Sequence, residues 1–297
     1  MKKKNQTVEL VTKKYEKRSQ AAEIFRSLVR NKGSLVGMIL FTIVFLCFLA
    51  SVFFVDYEMI TSYVMKDRLS WPSAQYPFGT DGMGRNLFYR VLYGSRYSLA
   101  LGFGGSAIAA CTGITLGCIA GYYGGKLESL IMRFAEVMTA IPGLLLGMVI
   151  MATLGTTLPN LIITVGVTSI PIYIRMTRAS ILSIRDQEFV EAAHAIGLPN
   201  ARIIFRQILP NGLSPIIITF TMNIGGMILI ASGLSFLGFG ISAPTPEWGS
   251  LISGGREFLR TSSYLLTFPG VFIMATVLAF NMIGDGLRDA LDPKLKR

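Results

Sequence analysis

The sequence predicts an all-α membrane protein with about six transmembrane helices. Of its 297 residues, 52% are hydrophobic and only 15% are charged, whereas an average soluble domain has about 25% charged residues. A chain of this composition has too little polar surface to fold as a soluble globule. Its apolar residues are also concentrated in a few long segments, as the hydrocarbon core of a bilayer requires.

Six segments approach the length of about 20 mostly apolar residues that a spanning helix needs. They cover residues 34–55, 98–120, 134–154, 160–179, 213–238 and 266–286. Barrel strands would alternate apolar and polar residues, and these segments do not, so we expect helices, whose backbone groups bond to one another in lipid. The third and fourth segments are separated by a short turn and should form a helical hairpin.

The distribution of Lys and Arg predicts that both chain termini lie in the cytoplasm. In this orientation 21 of the 28 basic residues face the cytoplasm, ten of them within residues 1–32. Because a long apolar segment follows directly, we interpret this basic run as a solvated tail that can also contact anionic headgroups, not as an arm for nucleic acid. No nucleic-acid partner is expected.

These assignments divide the chain into consecutive segments. They are a basic cytoplasmic tail, a first transmembrane helix, an extracytoplasmic segment, a five-helix core that includes a cytoplasmic loop at 183–212, and a cytoplasmic C-terminal tail. Their ranges are 1–33, 34–55, 56–97, 98–287 and 288–297. A second extracytoplasmic stretch, residues 239–265, contains Trp248, which we expect at the membrane interface.

Small residues recur every four positions along the second span. They are Gly105, Ala109, Gly113, Gly117, Gly121 and Gly125. A stripe without large side chains allows another helix backbone to approach closely. Two interpretations remain open: the stripe packs within this subunit, or it packs against a partner subunit or the transport path.

Motifs for bond chemistry are absent from the sequence, so we predict that the chain is not an enzyme and has no catalytic, cofactor-binding or metal-ligating residues. A phosphate-binding loop needs Gly-Lys followed by Ser or Thr, but Leu127 follows the single Gly-Lys pair. The one histidine, His194, belongs to no HExxH motif. The central parts of the spans contain no ionisable residues, which carriers driven by ions or protons usually keep there. We therefore expect another subunit to supply the energy for transport.

Residues 191–210, EAAHAIGLPNARIIFRQILP, form a polar island between apolar segments. We predict a short helix over residues 187–196, with Phe189, Ala193 and Ile196 on one face. Gly197 can adopt the left-handed conformation that ends a helix. A second helix should then run over residues 200–209 and meet Pro210. Two short helices at an angle would form a rigid handle for a soluble partner.

This island resembles the cytoplasmic "EAA" loop of the permease subunits of binding-protein-dependent ABC importers. Further matches point to the oligopeptide, dipeptide and nickel subfamily, and to the "C-type" member of its permease pair. The matching segments are PFGTDGMGRNLFYRVLYGSRYSL (77–99), GCIAGYYGG (117–125), LSFLGFG (234–240), PEWG (246–249) and FNMIGDGLRDALDP (280–293).

The resemblance implies that Glu191, Ala192, Ala193 and Gly197, with Pro210 at the far end, couple the chain to an ATPase. It also implies a heterodimer with a second permease, two cytoplasmic ATPase subunits, an extracytoplasmic substrate-binding protein and a location in the bacterial inner membrane. Di- or oligopeptides are the expected substrates, and nickel or a metal chelate is the alternative. An ion-coupled secondary carrier is the alternative from another class. The motif with Asp81 is expected to serve folding, with Asp81 capping a short helix.

Overall fold

The computed structural model describes residues 20–291, and the regular structure of this range is helical apart from one isolated β-bridge, Thr80–Asn86. Residues 1–19 and 292–297, which hold most of the expected terminal tails, lie outside the described range. The α-helices are α1 Gln20–Arg30, α2 Lys32–Phe54, α3 Tyr57–Thr61, α4 Leu87–Tyr123, α5 Gly125–Ala140, α6 Gly143–Leu154, α7 Leu158–Leu182, α8 Glu188–Ala195, α9 Asn200–Ile203, α10 Leu209–Asn211, α11 Leu213–Phe236, α12 Trp248–Gly255 and α13 Tyr264–Leu291. Short 3₁₀ turns lie at Met65–Asp67 and Arg256–Phe258, and a π-helical turn lies at Ile204–Ile208.

Five helices of the described range are long and apolar enough to span a membrane, namely α2, α4, α7, α11 and α13. Helices α5 and α6 together provide a sixth candidate, although they are bent by 89° relative to each other. The predicted all-α membrane fold with about six spans is therefore confirmed.

The expectation of one continuous third span over residues 134–154 is wrong. The helix breaks at Ile141 and Pro142, between α5 and α6. Proline disfavours the helical conformation of the residue before it, and Ile141 is accordingly extended, with ψ of 127°. The segment predicted as the third span thus lies in two helices joined at a sharp angle.

Helix α4 begins at Leu87, well before residue 98, where we expected the second span to start. The side chain of Asn86 caps it by accepting a hydrogen bond from the Phe88 amide at 3.0 Å. At 1.5 Å per residue the helix is about 55 Å long, which exceeds a hydrocarbon core of about 30 Å. Its first turns therefore extend beyond the span, and they bury Arg90, whose Nη1 donates to the Ile60 carbonyl at 2.9 Å.

Helices α4 and α7 form the most extensive helix pair of the described residues. Helix α11 packs beside α4, α13 packs on α11, and α2 packs along the outside of α13. We call the end of this bundle that carries α8, α9 and α10 the loop end. The opposite end carries residues 62–86 and 238–263, which fold over one another there, and Tyr264 Oη donates to the Thr80 carbonyl at 2.9 Å.

Candidate functional site

The loop between α7 and α11 contains two short helical pieces joined by a sharp turn at Gly197. The φ angle of Gly197 is +77°, which confirms the predicted left-handed conformation. The Gly197 amide donates to the His194 carbonyl at 2.9 Å, and the Leu198 amide donates to the Ala193 carbonyl at 3.2 Å. This pair of bonds is a Schellman motif, and it fixes the direction in which the chain leaves α8.

The inner side of the loop is apolar and packs against the ends of two long helices. Val190 and Ala193 of α8 are buried together with isoleucines 203, 204 and 208. They pack on Cys118 of α4 and Ile181 of α7. The inner side of the loop therefore packs directly on α4 and α7, so a force applied to the loop acts on these two helices.

The outer side of the loop exposes large apolar side chains. Ile196 is 76% exposed, and Phe189 and Phe205 are exposed as well. The expected common face of Phe189, Ala193 and Ile196 is thus wrong, because Ala193 is buried while the other two are exposed. The side of α8 that packs on the bundle lies between Val190 and Ala193, and at about 100° per residue Phe189 and Ile196 fall beside it. Exposed apolar side chains grouped in this way are typical of a protein interaction surface.

The predicted coupling residues occupy both sides of this loop. Glu191, Ala192, Gly197 and Pro210 are exposed, and Ala193 is buried. Gly197 has open space around it, with no atom within 4 Å of the position that a Cβ would occupy. The structure thus gathers Glu191, Ala192 and Gly197 on one short element and places Pro210 at the far end of the loop.

The second part of the loop is not the continuous α-helix expected over residues 200–209. Helix α9 ends at Ile203, and a π-helical turn follows, in which the Leu209 amide donates to the Ile204 carbonyl. Pro210 gives the physical reason: in an α-helix its ring would collide with the carbonyl of Arg206, four residues earlier. The wider turn accommodates the ring and leads into α10.

A polar cluster connects the loop to the end of α4. Tyr122 Oη donates to Asn200 Oδ1 at 3.0 Å and lies 3.2 Å from His194 Nε2. Arg185 Nη1 donates to the Gly121 carbonyl at 2.9 Å. Tyr122 therefore bonds to both pieces of the loop and helps to set the angle between them. Tyr122 and Asn200 could not be identified from the sequence, because no local pattern relates positions so far apart in the chain.

The glycine stripe of α4 lies against α7 of the same chain. Cβ atoms added at Gly105, Gly117 and Gly121 would lie 2.6 Å from Val165 Cγ2, 2.6 Å from Thr177 Cβ and 2.8 Å from Ile181 Cβ. Gly113 faces Tyr173 in the same way. Each contact joins residues 60 positions apart, so the two helices run parallel and in register. At these glycine positions, the two helices approach each other more closely than any side chain larger than hydrogen would permit.

At the opposite end of the bundle, the indole of Trp248 and the carboxylate of Glu247 are buried. Trp248 is fully buried, and its Nε1 donates to the Val91 carbonyl at 2.9 Å, so the expected position at the membrane interface is wrong. Glu247 is also fully buried and accepts hydrogen bonds from Gly249 N at 2.8 Å, Ser250 N at 2.9 Å, Ser235 Oγ at 2.8 Å and Ser98 Oγ at 3.4 Å. Burial raises the pKa of the Glu247 carboxyl, and these hydrogen bonds act in the opposite direction. One side chain thus joins α4, α11 and the start of α12.

Asp81 belongs to this end but does not cap a helix, contrary to expectation. Its carboxylate accepts hydrogen bonds from Met83 N at 2.9 Å and Arg85 Nε at 2.7 Å. Gly79 and Gly84 have φ of +78° and +79° on either side. These contacts hold a compact turn against α4, and the cap of α4 is Asn86.

The sequence of residues 113–297 matches the family described as "Binding-protein-dependent transport system inner membrane component". The chain belongs to this family of ABC importer permeases. The matched range contains the part of the α4–α7 contact from Gly113 onward, the whole loop with its Schellman turn, and Glu247.

Relatives extend the similarity over nearly the whole permease. The "Dipeptide transport system permease protein DppC" of Alkalihalophilus pseudofirmus is 46% identical, over 92% of this chain and 90% of its own length. The "Di/tripeptide transport system permease protein DppC" of Pseudomonas aeruginosa is 37% identical, over 94% and 93%. The "Glutathione transport system permease protein GsiD" of Escherichia coli O6 is 44% identical, over 76% and 74%.

A solved structure shares the fold of the permease. The MetNI methionine ABC transporter in an inward-facing conformation has a chain that superposes with a TM-score of 0.58 and 17% identity. The superposition covers 69% of this chain and 98% of that one. It supports the helical architecture and adds nothing on substrate.

We expect Tyr122→Phe to weaken the connection between the loop and α4 while leaving the permease folded. The change removes the hydroxyl that bonds to Asn200 and His194, and a hydrogen bond of this kind is worth about 0.5–1.5 kcal/mol. Uptake per ATP hydrolysed by the assembled importer should fall severalfold, with little change in thermal stability. Tyr123→Phe, at the neighbouring and more exposed ring, is the control. Equal coupling ratios in both variants would contradict a positioning role for Tyr122.

We expect Glu247→Ala to lower the unfolding free energy by about 2 kcal/mol or more. Buried donors that lose their partner cost about 1–3 kcal/mol, and the loss of a helix cap costs about 1 kcal/mol. Thermal unfolding of the purified permease in detergent measures the effect. Glu257→Ala, at a nearby exposed carboxylate, should stay within about 0.5 kcal/mol of the wild type. If the two variants melt alike, Glu247 does not hold the opposite end together.

Proposed function

We propose that this permease pairs with a second permease to enclose a path for short peptides. ATPase subunits supply the energy for transport, and they act on the permease through the loop at residues 183–212. The observation that carries the peptide assignment is the similarity to dipeptide and di/tripeptide permeases at 46% and 37% identity over at least 90% of both chains. Relatives named for glutathione, itself a tripeptide, support the same class of substrate.

The proposed coupling mechanism follows from the two sides of the loop. The exposed side, with Ile196, Phe205 and the residues Glu191 and Ala192, supplies the surface that an ATPase would contact. The buried side, with Val190 and Ala193, transmits displacement to Cys118 and Ile181. Because the Schellman turn and the Tyr122 contacts make the loop stiff, it can act as a lever.

The proposed orientation places the loop and both termini in the cytoplasm, in agreement with the excess of Lys and Arg at the loop end. A binding protein delivers the peptide to the opposite end, where a cavity of about 540 Å³ opens between residues 81–90 and 238–258. The membrane is the bacterial inner membrane, as the family description indicates. Nothing in residues 20–291 favours the nickel or the ion-coupled alternative.

Reconstitution tests this function. Proteoliposomes that contain both permeases, the ATPase subunits and the binding protein should accumulate a labelled dipeptide when ATP is supplied to the loop side. Unlabelled di- and tripeptides should compete, whereas free amino acids and nickel chelates should not. Competition by a nickel chelate together with a failure of dipeptides to compete would overturn the peptide assignment.

A further inference from the structure

Helix α1 precedes the first span and has three distinct faces. It lies outside the loop and the α4–α7 contact that carry the proposed function. Asn31 separates it from α2 and caps α2 by accepting hydrogen bonds from Gly33 N at 2.9 Å and Ser34 N at 3.2 Å. Successive residues of a helix are rotated by about 100°, which separates the side chains of α1 into three directions. Leu28 points in the first direction, Phe25 and Val29 in the second, and Arg26 and Arg30 in the third.

The first face packs on the end of α13. Leu28 is buried, and its Cδ2 lies 3.0 Å from where a Cβ on Gly286 would stand. Asn31 Nδ2 also donates to Asp289 Oδ2 at 2.8 Å. These contacts hold α1 beside the last turns of α13, at the loop end of the bundle.

The second face is apolar and faces away from the protein. Phe25 is 63% exposed and Val29 is 42% exposed. Shortly after Asn31, α2 begins to expose an apolar surface of its own with Leu35, Val36 and Ile39. Helix α2 is long and apolar enough to span a membrane, and a spanning helix exposes such side chains to acyl chains. Along the chain, the apolar face of α1 therefore directly precedes a surface suited to lipid.

The third face is mainly basic, and Glu23 also lies on it. Arg26 and Arg30 are exposed, and so is Lys32 at the start of α2. The sequence before α1 adds further charge, with seven Lys and Arg residues against two Glu in residues 1–19. A helix with an apolar face next to a basic face is typical of segments that lie in the interface of an anionic membrane.

We propose that α1 is an interfacial helix that binds anionic phospholipid. Phe25 and Val29 insert at the boundary between headgroups and acyl chains, and Arg26, Arg30 and Lys32 contact lipid phosphates. Lipid is the occupant that the observations favour, because the apolar face of α1 directly precedes the exposed apolar surface of a candidate spanning helix and the adjacent charge is complementary to acidic headgroups. Through Leu28 and Asn31, the lipid contact also fixes the end of α13.

Spin labels on α1 test the insertion. In a chain with its three cysteines replaced by alanine, Phe25→Cys or Val29→Cys carries the label, and Glu23→Cys on the basic side is the matched control. The assembled importer is placed in nanodiscs of phosphatidylcholine with or without phosphatidylglycerol. In the anionic discs, labels at 25 and 29 should be accessible to oxygen and shielded from a water-soluble nickel chelate, and the label at 23 should show the reverse.

Lipid charge is tested separately with Arg26→Gln and Arg30→Gln, which leave the apolar face intact. Each removed arginine should weaken retention of phosphatidylglycerol by about fivefold, measured by mass spectrometry of lipids that copurify with the importer. Lys126→Gln, near the loop end on α5, controls for net charge. The proposal is overturned if labels 25 and 29 stay in water in anionic discs, or if retention is unchanged by both substitutions. It is also overturned if the labels are shielded in the assembled importer but lie in water when the ATPase subunits are left out, since α1 would then bind protein.

Discussion

The substitution Gly117→Leu is expected to prevent the permease from reaching a stable fold. Gly117 faces α7 in the close contact between the two helices, and an added Cβ would lie 2.6 Å from Thr177 Cβ and 2.8 Å from the Ile174 carbonyl. Overpacking of a close contact costs about 1–3 kcal/mol and sometimes more, and leucine adds three further carbons where not even the first one fits. We expect a loss of more than about 3 kcal/mol, and recovery of folded protein from membranes should fall sharply.

The control lies on the same helix and introduces the same residue. Cys111 is exposed on α4, so Cys111→Leu adds apolar surface without displacing α7. Gly117→Ala should give an intermediate loss, because it supplies the clashing Cβ alone. Equal yields and melting temperatures for Gly117→Leu and Cys111→Leu would show that the α4–α7 contact is not needed for the fold.

The substitution Gly197→Val is expected to abolish most uptake while leaving the permease inserted and folded. The φ of +77° costs a β-branched residue about 1–2 kcal/mol or more, although no neighbouring atom blocks the side chain. A loss of about 1.4 kcal/mol lowers the population of the bent loop tenfold. ATP hydrolysis by the importer should then continue with little peptide uptake.

Asparagine gives the matched comparison at the same position. It adopts the left-handed conformation more readily than other residues with a Cβ, so Gly197→Asn should retain much of the uptake that Gly197→Val loses. The test measures peptide uptake and ATP hydrolysis in parallel, in proteoliposomes that contain either the valine or the asparagine variant. If valine supports uptake as well as asparagine does, the conformation of Gly197 has no part in coupling.

The spans and the loop could be predicted because each depends on a local pattern. Runs of about 20 apolar residues predict the spanning helices, and Gly197 marked the break that the structure shows as a Schellman turn. Pro142 also indicated a helix break in the predicted third span, but the long apolar run on both sides of it favoured one continuous helix. The glycine spacing predicted a close helix contact without naming α7 as the partner.

The remaining features depend on contacts between distant parts of the chain. The preferred N-cap residues are Ser, Thr, Asp and Asn, so the sequence did not predict that Glu247 caps α12. Its hydrogen bonds with Ser98 and Ser235 could not be predicted either. The burial of Trp248 depends on the first turns of α4, which the hydropathy of the second span does not include. Tyr122 gains its role from the position of His194 and Asn200 in the folded loop.

The central claim is that this permease provides the path and that the ATPase subunits provide the energy. The most direct measurement compares peptide accumulation in proteoliposomes that contain the purified chain alone with accumulation in those that contain the full importer, each with and without ATP. The account predicts uphill accumulation in the full importer with ATP and in no other condition. Uphill accumulation by the chain alone, driven by an ion gradient or by ATP, would contradict it.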